Sequence, residues 1–153
     1  MANHHYRYLP RIAAALFVVV VAGCDEKLSE LAGPSPNLQP TFSSIQSEIF
    51  EKSDSAGRSA CVTCHTNTGK TPSGGLNLNH DVAYDQCVNM PSRGKSSATR
   101  VIPGDPDNSY MIHKLEGLSD ISGRRMPFNG PPYLTDGQIL IIKRWIANGA
   151  PRN

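Results

Sequence analysis

The sequence predicts a small all-α domain of about four short helices separated by long loops. Three observations predict it. Apolar residues recur at helical spacing in four separate segments. No segment of any length alternates apolar and polar residues as a strand would. Between the apolar segments, 13 glycines and 12 prolines punctuate a chain of only 153 residues.

The first helix follows Thr41. Phe42, Ile45, Ile49 and Phe50 fall at i, i+3, i+7 and i+8 and share one face, and Thr41, Ser43 and Ser44 offer N-caps. It should fade between residues 53 and 57. A second, short helix is expected over residues 81–88, with Val82, Ala83, Cys87 and Val88 turned inward. A third is expected to start at Asp105, where a capping carboxylate precedes Pro106 at the first helical position. Met111, Ile112 and Leu115 give it an apolar face, and Gly117 ends it. The last helix carries the strongest signals. Thr135 and Gln138 fit a capping box, Ile139, Ile142, Trp145 and Ile146 recur at helical spacing, and Gly149 and Pro151 stop it. A core built around Phe42, Phe50 and Trp145 is thin for this length, so an apolar cofactor at its centre would add burial that the chain lacks.

Ahead of this domain (residues 41–153) stand two other segments. Residues 1–23 read as an export signal: His4, His5, Arg7 and Arg11 give a polar, basic start, and the apolar run 12–22 covers only about 16 Å as a helix, too short to span a bilayer. Residues 24–40, rich in Pro34, Pro36, Pro40 and Gly33, read as a flexible tether that reaches about 50–55 Å when extended. A docked, ordered segment is the alternative. With Arg7 and Arg11 removed, basic and acidic residues balance, and no basic stripe suggests nucleic acid.

Four cysteines, Cys24, Cys61, Cys64 and Cys87, carry the rest. Cys61-Val62-Thr63-Cys64-His65 is C-x-x-C-H, the attachment signature for c-type haem. Two cysteines three positions apart on a helical turn lie on one face, where each thiol can add to one haem vinyl group, and the next residue, His65, supplies the proximal nitrogen to iron. Rival uses are a dithiol redox pair, which needs a βαβ setting that is not visible, and a zinc site recruiting Cys61, Cys64 and Cys87 with His80 or His65. Candidates for the sixth iron ligand are Met126, Met90, Met111, His80 and His113. Met126 precedes Pro127 in a loop just before the last helix, where the proline stiffens the backbone and holds a thioether at fixed distance. Met90 also precedes a proline and is the main competitor; Met111 reads as packing, and the two histidines as surface or capping residues. Arg93 and Arg100 are candidate partners for haem propionates, or plain surface arginines. Cys87 reads as a small buried hydrophobe and Trp145 as core.

Two resemblances follow from these residues. Val21-Ala22-Gly23-Cys24 resembles the lipobox of bacterial lipoproteins, which implies lipidation of Cys24 and cleavage before it. The order of a helix, the Cys61-to-His65 motif, a long loop, Met126 before proline and a capped helix with an aromatic resembles a class I mono-haem cytochrome c. The stretches 100–110, 125–127 and 145–151 are similar to cytochrome c domains of planctomycetes and other bacteria. The likeness covers roughly residues 45–151 and departs at Cys87, where an ordinary apolar residue is usual. It implies one covalent haem c held by Cys61, Cys64, His65 and Met126; Arg100 beside it is the candidate that guanidinium chemistry offers. The expected protein is an electron carrier rather than an enzyme, lipid-anchored through Cys24 on the periplasmic side of a membrane. It would exchange single electrons with redox protein partners, with no nucleic acid and no small-molecule substrate. The alternatives are a haem enzyme with an open distal site and a metal-binding lipoprotein without haem.

Overall fold

A computed structural model describes Met1 and residues 31–153. The export signal and Cys24 therefore lie outside the described residues, as do tether residues 24–30.

The described chain is helix-dominated and all-α, with no strand. Only three isolated bridges occur among the described residues, Val88 with Val101, Pro91 with Thr99 and Ile102 with Asp105. Helix α1 (Phe42–Ile45) starts where the Thr41 hydroxyl accepts the Ser44 N–H, and it widens directly into a π-turn, Gln46–Phe50. Short 3₁₀ turns follow at Cys61–Thr63 and Ser73–Gly75. Then come α2 (Ala83–Cys87), α3 (Tyr110–Glu116) and α4 (Asp136–Ala147). On α4 both halves of the capping box form: Thr135 Oγ1 accepts the Gln138 N–H at 3.2 Å, and the Gln138 side chain accepts the Thr135 N–H at 2.9 Å.

The core gathers on α1 and α4. Trp145 is fully buried, and its ring centroid lies 5.6 Å from that of Phe42, which also meets Tyr84 and Phe50 edge-on at 5.1 and 6.4 Å. Burial of one large aromatic removes about 150–250 Å² from water, or about 4–6 kcal/mol. The C-terminal tail seals this contact. Trp145 Nε1 donates to the Pro151 carbonyl, Tyr84 to the Ala150 carbonyl, and the backbone of Phe42 and Ser43 to Asn153.

Three expectations need correction. Helix α3 starts at Tyr110, not at Asp105. The Asp105 carboxylate accepts both the backbone and side-chain N–H groups of Asn108, and Ser109 Oγ donates to the Asp105 carbonyl, so residues 105–109 close a turn first. Helix α2 is shorter than residues 81–88, and Val82 is exposed because it precedes the first helical turn. Residues 31–40 do not swing free. Ala32 and Leu38 are fully buried, and Ser35 Oγ accepts a buried hydrogen bond from Gln138 Nε2 at 2.9 Å. The prolines there shape a docked strap rather than a leash.

Candidate functional site

The Cys61 turn is anchored from below. The guanidinium of Arg58, on a side chain 0 % exposed, pairs with Asp54 at 3.1 Å and donates to the carbonyls of Ile49, Lys52 and Ser59. This clamp ties the end of the π-turn to the chain entering Cys61. Beyond it, the N–H groups of Cys64 and His65 both donate to the Cys61 carbonyl, at 3.1 and 2.9 Å. The two cysteines and the histidine thus share one turn. Cys64 is exposed and Cys61 half-buried, and neither thiol is in a disulfide. Cys61 Sγ lies 3.4 Å from the Ile49 carbonyl, and burial pushes its thiol up to about 11 against the opposing charge of Arg58.

His65 is half-buried, and its Nδ1 is buried without a hydrogen-bond partner. Burial holds its pKa below the ordinary value. The carbonyls of Leu76 and Ser73 oppose this, although neither meets Nδ1 in hydrogen-bonding geometry, and the positive charges of Arg100 and Lys114 add to the depression. The imidazole is therefore neutral at neutral pH, the form that ligates a metal. The loop after it folds back: Ser73 N–H donates to the Cys64 carbonyl at 3.1 Å and Leu78 N–H to the His65 carbonyl at 2.8 Å. Cys61, Val62, Leu76, Val88, Met111 and Met126 are half-buried apolar residues against the core.

The loop of Met126 is drawn toward this turn. Asn129 Nδ2 donates to Ser59 Oγ at 3.2 Å, two residues before Cys61, and Met126 N–H donates to the carbonyl of Lys114, whose charge reaches His65. Arg100 is buried, not a surface arginine; it donates to the carbonyls of Gln86 (2.7 Å) and Gly75 (3.2 Å). Arg93 lies across the same Gly75, where a Cβ would fall 2.4 Å from its Cδ, so two guanidiniums converge beside the Ser73–Gly75 turn.

The rival ligands stand differently. Met90 is 39 % exposed, and Met111 is packed on α3. His80 faces Glu51 at the surface, and His113 has both ring nitrogens engaged, by Asp120 and the Asp107 carbonyl. Among the described residues no three His, Cys, Asp or Glu side chains converge to hold a metal ion. Two surface clefts of about 300 and 260 Å³ lie elsewhere, against Ile139 and Lys143 and against Phe42 and Tyr84. No described helix is long and apolar enough to cross a membrane. Sequence reasoning missed the Arg58 clamp, although the i,i+4 spacing of Asp54 and Arg58 was there to find. It also missed Lys114, whose partners are distant and leave no local signal.

No protein-family model, no curated protein and no solved structure matches the chain.

Proposed function

We propose that this chain is a mono-haem c-type cytochrome, anchored to a membrane by lipid on Cys24, that carries single electrons between redox protein partners on the periplasmic side. The observation that carries the proposal is the Cys61 turn. It presents two free thiols and a neutral imidazole together, with one ring nitrogen buried and unpartnered. That donor set fits a covalent haem c. The half-buried rim of Leu76, Val88, Met111 and Met126 fits its apolar faces, and this is the sense in which a class I cytochrome c wrapping is proposed.

In this reading Cys61 and Cys64 hold the two thioether bonds, His65 Nε2 and the Met126 thioether ligate the iron, and Arg100 with Arg93 faces the propionates. The bound group supplies reversible one-electron cycling of its iron. The chain's residues do the rest. Neutral His65 offers a lone pair without a proton to displace. Arg100, already desolvated by two carbonyls, offers remaining donors to a carboxylate.

A carrier is supported over a peroxide-reducing enzyme because the polar groups expected to serve a distal pocket are engaged. Arg124 stacks on Phe128, Arg125 stacks on Tyr133 and bonds the Leu115 carbonyl, and His113 is spent on Asp120. The test is a haem stain of a denaturing gel and a pyridine haemochrome spectrum, on protein matured in a host equipped for cytochrome c assembly. A coloured band at the chain's mass, lost on Cys61→Ala/Cys64→Ala, is expected. A colourless band ends the proposal.

A further inference from the structure

The loop that carries Met126 is bonded to Lys95 through Asp120 and to Ser59 through Asn129, but most of its bonds run to one helix, α3. The Tyr110 hydroxyl accepts the Ser122 N–H at 2.7 Å, the Lys114 carbonyl accepts the Met126 N–H at 2.8 Å, and the Leu115 carbonyl accepts the Arg125 Nε–H at 2.7 Å. Lys114 acts twice, because its ammonium also donates to the carbonyls of Ser122 (2.9 Å) and Arg124. Those are charge-assisted bonds, the stronger kind, and they grip the two residues on either side of Gly123. The Arg125 stem then lies on Gly117, whose left-handed turn (φ 76°) starts the loop and leaves no room for a Cβ, which would fall 2.8 Å from Arg125 Cδ.

A neutral thioether has no charge to draw it to a metal, so its place must be imposed by the backbone that carries it. Between Gly117 and Met126 no residue is fully buried, and Leu118 is 40 % exposed. The loop therefore takes its shape from polar bonds, most of them to α3, rather than from a core of its own.

We propose that Lys114, seconded by Tyr110, is a positioning residue for Met126: it fixes the loop backbone from both sides so that the thioether is presented toward the His65 side of the site. This rests on the reading of Met126 as the distal ligand.

The test uses the ferric holoprotein. Haem content, far-UV circular dichroism, the weak red-edge band of a methionine-ligated iron, and the midpoint potential are compared across the wild type, Met126→Ala, Lys114→Met and Lys114→Arg. Lys114→Met keeps the stem and the backbone carbonyl but deletes the ammonium. It should lose at least half of the band and shift to lower potential at unchanged haem content and helicity. Lys114→Arg, with a fork of donors for the two carbonyls, should restore most of both. A wild-type band and potential in Lys114→Met, beside a bandless Met126→Ala, overturns the positioning role and leaves the cytochrome reading standing. A band that survives Met126→Ala removes the ligand assignment and the positioning role together, and a haem-free wild type removes the functional reading itself. Where Lys114→Met does not accumulate, Tyr110→Phe, which deletes only the hydroxyl on Ser122, decides: a smaller loss of the same band supports the role, and an unchanged band overturns it.

Discussion

Cys87 sits wholly inside the core, and loss of hydration pushes its thiol up to about 12, against the pull of the Arg100 charge. At pH 8 it is a neutral thiol with no path to solvent, so it should behave as a small hydrophobe. If, as proposed, Cys61 and Cys64 carry haem and Cys24 carries lipid, a disulfide reagent should titrate no thiol in the native protein and one after guanidinium is added. Rapid release of colour from the native protein would count against this burial. Arg58 makes the opposite case, a buried charge that must not be left alone. Its side chain and that of Asp54 are 0 % and 2 % exposed, and Arg58→Met would strand the carboxylate. The expected loss is about 3–5 kcal/mol, as for other broken buried pairs. Denaturant unfolding checks it, and a loss below about 1 kcal/mol would mean that the clamp is ornamental.

Helix α4 was readable in full because its signals are local and agree: cap, apolar spacing and stop all lie within the helix or beside it. Thr135→Ala should cost about 0.5–2 kcal/mol through the lost cap, measured by the same unfolding curves. Helix α3 was misjudged at its start for an equally physical reason, since Asp105 and Ser109 spend their oxygens on closing a turn. That Cys61, Cys64 and His65 share one turn was legible because they are nearly contiguous in the chain, and the structure puts both the Cys64 and His65 N–H groups on the Cys61 carbonyl; their haem attachment and the Met126 ligand stay part of the proposal. What holds Met126 was not legible, since α3 and its loop meet through bonds such as Tyr110 to Ser122 that no periodicity encodes. The same helix carries a pH-sensitive staple. Hydrogen bonds to the Asp107 carbonyl and to Asp120 hold the His113 pKa above its ordinary value, against partial burial and the charge of Lys95. A raised pKa means stability that is fully present below the unfolded value of about 6.5 and lost as pH rises through the folded one. Unfolding midpoints should therefore fall as pH climbs past that range, and His113→Asn should flatten this slope; an unchanged slope in the variant would remove the staple.

Over the described residues, the packed unit takes in residues 31–40 as well as 41–153. The docking turns on Gly137 in the first turn of α4. A Cβ there would sit 1.8 Å from the Leu31 carbonyl oxygen, so only glycine lets the strap lie flat on the helix. In an open helix, glycine to alanine stabilises by about 0.5–1 kcal/mol. Here the clash opposes that gain, and overpacking of this kind costs about 1–3 kcal/mol. It also threatens the buried Ser35–Gln138 bond and the seat of Leu38. Gly137→Ala should therefore destabilise the chain that begins at residue 31 and render residues 31–40 sensitive to protease. In a chain that begins at residue 41 the strap is gone, the clash with it, and the same substitution should stabilise. That reversal of sign separates docking from helix propensity, because propensity alone predicts a gain in both chains. A gain in both, with residues 31–40 still protected, would mean that the strap does not bear on Gly137.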